Sequence, residues 1–97
     1  MPTRDETAVV IRNEAAGRFE LAADGATATL EYELVDGAIV LNHTAVPSEA
    51  EGRGVGGRLA RAALDHAREH GLIVVPRCRF VRAWIRRHPE YRDLLPP

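Results

Sequence analysis

The sequence predicts an α+β fold: an antiparallel β-meander, then a β-α-β unit and a C-terminal helix, in the order β-β-β-β-α-β-α. Three observations carry this. Up to about Val46, apolar and polar residues alternate with a period of two, and Asp-Gly pairs at 24–25 and 36–37 interrupt the runs as hairpin turns do. From Val55 the apolar period becomes helical. The short, wholly apolar run Leu72–Val75 then returns the chain to a strand before a second helical stretch.

The elements follow in order. Residues 1–6 are polar and read as a frayed terminus. Ala8–Arg12 reads as a first strand and Arg18–Ala22 as a second. In Ala26–Val35 the residues Ala28, Leu30, Tyr32 and Leu34 fall on one face, opposite Thr27, Thr29, Glu31 and Glu33. Ala38–Val46 is richer in apolar residues and so belongs at the centre of the sheet. Pro47 stops it, and Ser48–Gly54 is a polar, Gly-containing loop. Leu59, Ala60, Ala63, Leu64 and Ala67 then form one apolar stripe, and Gly71 is placed as the residue just past the helix end. Pro76 ends the fifth strand. After Cys78 the last helix has Phe80, Val81, Trp84 and Ile85 on one side, and Arg79, Arg82 and Arg86 on another. His88-Pro89 closes it, leaving a tail with room for one more turn. The crossover from strand four to strand five is expected to be right-handed.

The 97 residues, 45% of them apolar, suit a single domain spanning 1–97. No apolar run approaches the roughly 20 residues of a membrane span, and the polar, acidic Met1–Glu6 does not read as a signal peptide. A cytoplasmic protein without membrane contact is expected. Cys78 is the one cysteine, which excludes an internal disulfide and a Cys-rich metal site. His66 and His70 share a helix face at i, i+4, but the H-E-x-x-H pattern is absent, so they read as exposed histidines and no metal is expected. Residues 1–50 hold three Arg against nine acids, and residues 51–97 hold ten Arg against five. The basic half suits a phosphate-bearing ligand, although its charges can equally pair across the fold. The acidic first half and the scarcity of aromatics argue against a nucleic-acid surface.

Glu51-Gly52-Arg53-Gly54-Val55-Gly56-Gly57 lies between a strand and a helix. Glycines there let backbone approach a ligand closely, and the first amides of a helix have no internal partners, so such a loop suits a pyrophosphate. The string also fits G-x-G-x-x-G at Gly52, Gly54 and Gly57. That fingerprint requires a first strand of a parallel sheet leading into the loop, whereas four meander strands come before this one. No Gly-Lys-Ser/Thr occurs, which excludes the Walker loop.

Val46-Pro47 followed by Glu51–Leu59 resembles motif A of the GNAT superfamily of N-acetyltransferases, written Q/R-x-x-G-x-G/A. It matches at Gly54 and Gly56 and departs where Glu51 replaces Gln or Arg. His43-Thr44, the Gly loop, Cys78-Arg79-Phe80-Val81 and His88-Pro89-Glu90-Tyr91 are together similar to a group of very short GNAT-like proteins, over about residues 8–95. The resemblance implies strands four and five splayed at their C-terminal ends, with the pantetheine arm of acetyl-CoA in the gap. It implies coenzyme contacts at Val46, Glu51, Gly52, Arg53, Gly54, Val55, Gly56, Gly57 and Arg58, the amides of 52–57 holding the pyrophosphate. The partner would be an unidentified amine acceptor, and the chain a monomer or a homodimer paired through an exposed edge strand.

Aminolysis of a thioester needs a neutral amine, a base for its proton, and stabilisation of the oxyanion and the departing thiolate. Cys78, between Arg77 and Arg79 at a helix start, reads as a thiol of lowered pKa able to accept the acetyl group, or else as a small buried apolar residue. His43, near the end of strand four, reads as a general base or as a histidine on a half-buried strand. Alternation puts Asn42 on the opposite face to His43, and Tyr91 is a candidate acid. The reading is an acetyl-CoA-dependent N-acetyltransferase, the alternative a coenzyme A-binding module without turnover.

Overall fold

Two of the three turns in the meander are two residues long. Asp36 (φ 44°) and Gly37 (φ 81°) are consecutive positive-φ residues between the paired ends Val35 and Ala38, the dihedral pattern of a type I′ hairpin turn. Ala23 and Ala26 pair in the same way around the earlier turn, of which Gly25 (φ 78°) is described. The computed structural model describes residues 9–23 and 25–97. The expected frayed terminus over residues 1–6, together with Ala8 and Asp24, lies outside them.

The strands are β1 (Ile11–Asn13), β2 (Arg18–Ala23), β3 (Ala26–Val35), β4 (Ala38–Ala45) and β5 (Ile73–Pro76). They form one sheet in sequence order, antiparallel except for the parallel β4–β5 pair. The predicted α+β order therefore holds. β1 differs from the expected Ala8–Arg12. Only Ile11–Asn13 pair with β2, and Val9 (74% exposed) and Ile11 (63%) are not buried. A turn follows β1 at once: Asn13 Oδ1 accepts the Ala16 amide, and Glu14 O accepts the Gly17 amide.

Helix α1 (Val55–Glu69) buries the stripe Leu59, Ala60, Ala63, Leu64 and Ala67 against β2–β5. Its C-terminus is a Schellman motif. The Leu72 amide reaches the Ala67 carbonyl (2.9 Å), the Gly71 amide reaches Arg68 (3.4 Å), and Leu72 packs on the core. Helix α2 (Arg79–Arg87) buries Val81, Trp84 and Ile85. Short 3₁₀ turns at Ser48–Ala50 and Pro89–Leu94 complete the chain.

The covered sheet face carries Phe19, Leu21, Ala28, Leu30, Tyr32, Ile39, Leu41 and Val74, all in the core. Leu34 shares this face through its pairing with Ile39 but is 57% exposed at the hairpin end. Ala22, Glu31, Glu33 and Val35 alternate onto the other face and are exposed. The tail is tied back on α1. Tyr91 Oη donates to Asp65 (2.7 Å), and the Arg68 guanidinium grips Asp93 and the Glu90 carbonyl.

Candidate active site

β4 is eight residues long, but only its first half has a neighbour on the β5 side. The parallel pairing runs from Ala38↔Ile73 to Leu41↔Pro76 and stops, while β4 continues beside β3 to Ala45. The Cys78 amide donates to Leu41 O (2.9 Å) as the last backbone link. Beyond it the two strands part, as expected of this fold.

A β-bulge marks the same point. Glu31 pairs with His43 and Tyr32 with Leu41, so Asn42 is an extra residue in β4. Its consequence is a change of face. Leu41 and Thr44, opposite Tyr32 and Leu30, both lie on the helix-covered side. Asn42 and His43 both lie on the bare side, where Asn42 Nδ2 donates to Glu33 (2.7 Å) and His43 stands exposed beside Glu31. The alternation that set Asn42 opposite His43 is overturned here, because a bulge consumes one residue without turning the strand over. Cys78 and His43, the two catalytic candidates, are thus on opposite sides of the sheet at the place where β4 and β5 separate.

Cys78 is the N-cap residue of α2 and only 8% exposed. Its Sγ is 3.3 Å from Thr44 Oγ1, across the opening between the strands. Burial pushes the thiol pKa up, but hydrogen bonds from the Thr44 hydroxyl and from the backbone of Val81, Phe80 and Thr44 outweigh it, and the net pKa is lowered. The helix-start amides match the expected cause. Arg77 and Arg79, also invoked from sequence, are not among its main causes.

Two residues further along both elements, Val46 and Phe80 help to line a cavity of about 320 Å³ at the start of α1. Glu51, Gly52, Gly54, Val55, Gly56 and Gly57 line it too, as does Ala50. So seven of the nine expected coenzyme residues meet around one space. Arg53 and Arg58 do not line it; Arg58 borders a different cleft on the far side of α1 with Arg61 and Asp65.

The glycines divide their work. Gly54 is the α1 N-cap in a left-handed conformation (φ 72°), and its carbonyl accepts the first helical hydrogen bond, from Arg58 N (3.1 Å). Gly54 has no side chain with which to cap the helix, and the first residues of α1, Val55, Gly56 and Gly57, line the cavity. Gly56 and Gly57 serve packing. A Cβ on Gly56 would stand 2.8 Å from the Phe80 ring, and one on Gly57 would stand 3.0 Å from Trp84 Nε1. The close approach of α2 requires glycine at both positions.

Phe80 and Thr44 are the site residues that sequence reasoning missed, and Trp84 packs on Gly57 of the same loop. The signal for Thr44 was hidden by the bulge. That for Phe80 and Trp84 lay in their i, i+4 spacing opposite the Gly56-Gly57 pair. Tyr91 sits under α1: its hydroxyl is engaged by Asp65 and Arg61, and burial followed by the Asp65 contact raises its pKa. Among the described residues no cluster of three or more His, Cys, Asp or Glu could hold a metal ion, and no helix is long and apolar enough to cross a membrane.

Residues 18–94 match the family model described as GCN5-related N-acetyl-transferase. The chain belongs to that family. Among curated relatives of this N-acetyltransferase domain, the mouse and human proteins called NATD1 are each 38% identical over 73 residues. These matches cover 72% of this chain and 66% and 65% of those proteins, so the chain spans just under two thirds of their length. Among solved structures, the NMR solution structure of a GCN5-like protein from Staphylococcus aureus superposes with a TM-score of 0.72 at 31% identity, covering 91% of this chain and 87% of that one.

Proposed function

We propose that this chain moves an acetyl group from acetyl-CoA to an amine, either a protein lysine or a small-molecule amine. The observation that carries this is the uncapped start of α1, opening on a cavity walled by the loop and Phe80. A pyrophosphate there would accept hydrogen bonds from the amides of residues 52–57, with the positive end of the α1 dipole behind them. Val46 and Glu51, which line the same cavity, complete the proposed coenzyme contacts, whereas Arg53 and Arg58 lie off it. The pantetheine arm then follows the gap between β4 and β5, which ends at Thr44 and Cys78.

In direct transfer the neutral amine attacks the thioester carbonyl, a C–N bond forms and the C–S bond breaks. The amine loses its proton and the coenzyme leaves as a thiolate, to be protonated in turn. His43 is the proposed base, for an acceptor approaching the bare face. The lowered thiol pKa of Cys78 favours a second route. There the thiolate attacks first, coenzyme A leaves, and the amine then displaces the acetyl group from sulfur. Direct transfer is preferred, since an acetyl-Cys thioester is no better a donor than the one it replaces.

The test is acetyl-CoA with a panel of amines and Lys-containing peptides. On the direct route His43→Ala loses about 10²–10⁴-fold in rate, the size of a general-base contribution, and Cys78→Ala loses little. On the covalent route an acetyl mass appears on the Cys78 peptide and Cys78→Ala abolishes transfer. Coenzyme binding without turnover in the wild-type chain identifies a binding module instead.

A further inference from the structure

A cleft larger than the one at the glycine loop lies elsewhere among the described residues. It measures about 490 Å³ and lies between α2 and the C-terminal tail, lined by Pro76, Arg82, Ile85, Arg86, Arg92, Leu95 and Pro96. At 100° per residue, Arg82 and Arg86 project from the side of α2 opposite Phe80 and Trp84, with Ile85 between the two sides, so this cleft and the loop cavity flank the helix on opposite sides. Its size falls in the range of small-molecule sites.

Its chemistry is divided. Pro76, Ile85, Leu95 and Pro96 provide an apolar floor. Arg82 is anchored, its guanidinium donating to the carbonyls of Arg77 (2.8 Å) and Pro76 (3.3 Å). Arg86 and Arg92 have no partner among the described residues, although exposed carboxylates such as Glu90 lie in the same segment. Guanidinium groups beside an apolar floor, with their donors unused, complement a planar anion borne on an apolar body.

We infer that the α2–tail cleft is a second binding site, distinct from the glycine loop, for a small carboxylate or phosphate monoester with an apolar body. The head group takes Arg86 and Arg92, Arg82 adds positive charge from its anchored position, and the body lies on Ile85, Leu95 and the two prolines. The inference is independent of acetyl transfer.

The test is amide NMR of the ¹⁵N-labelled full chain at low ionic strength, titrated with phenyl phosphate, benzoate and, as the neutral counterpart, benzyl alcohol. Saturable shifts are expected at Ile85, Arg86, Arg92 and Leu95 with either anion, and much weaker ones with the alcohol. Arg86→Gln combined with Arg92→Gln should weaken anion binding by about tenfold or more. Neither side chain makes a hydrogen bond or ion pair among the described residues, so the double variant should keep the wild-type spectrum elsewhere. Binding by only one of the two anions would define the preferred head group. Shifts confined to residues 52–57, equal affinity for the alcohol, or unchanged affinity in the double variant would each overturn the proposal.

Discussion

On one face of β4, Leu41 and Thr44 lie under the helices; on the other, Asn42 and His43 stand beside Glu33 and Glu31. Four consecutive residues divide two and two, where a regular strand would alternate. The covered pair belongs to the packed interior and to the Cys78 thiol, and the bare pair belongs to the surface. One inserted residue thus sets a packed pair and an exposed pair on opposite sides of a single strand at the point where β5 departs. A bulge here fits the tendency of bulges to lie beside functional sites.

The contrast is largest in stability. Leu41 is fully buried, and Leu41→Ala should cost about 2–5 kcal/mol in urea unfolding, whereas His43→Ala should stay within about 0.5 kcal/mol. Comparable losses at the two positions would mean that His43 is packed and the two faces are not distinct.

The loop can be dissected in the same way. Gly56→Val forces a side chain into the Phe80 ring and should cost about 1–3 kcal/mol, of which Phe80→Ala in the double variant should restore a part. Gly54→Ala meets open space but a left-handed backbone, so it should cost about 1–2 kcal/mol that no change at Phe80 recovers. A Gly56→Val cost indifferent to Phe80 would separate the loop from α2.

The smallest effect is at the thiol. The hydrogen bond from Thr44 helps to lower the Cys78 pKa, so Thr44→Val should move the pH of half-maximal alkylation upward. A folded-state pKa below the unfolded value of about 8.5 makes stability rise with pH through the window between the two. The contribution is complete above the unfolded pKa and is lost as pH falls through the folded one. Thr44→Val should flatten that rise. An alkylation profile unmoved by Thr44→Val would take the Thr44–Cys78 pair out of the site.

Much of this was legible in the sequence, for reasons that also mark where legibility stopped. β3 was readable to the residue because its alternation is unbroken and Asp36-Gly37 closes it. α1 was readable because its stripe is regular and Gly71 lies where a left-handed end is needed. β1 was misjudged because Val9, Val10 and Ile11 are apolar, yet an edge strand is defined by its pairing partner, and pairing begins only at Ile11. Of the site, the loop was readable as a helix start after a strand. The face of His43 was not, because periodicity carries no mark of an inserted residue. Nor were the roles of Gly56 and Gly57, which depend on where α2 lands.

The proposed coenzyme site puts the pyrophosphate of acetyl-CoA on the start of α1. Titrating the ¹⁵N-labelled chain with acetyl-CoA tests it most directly. The largest amide shifts should fall on Gly52–Gly57, with a second group at Thr44, Cys78 and Phe80, and NAD at the same concentration should produce neither. Shifts centred elsewhere, or matched by NAD, would contradict the coenzyme site and the acetyl transfer built on it.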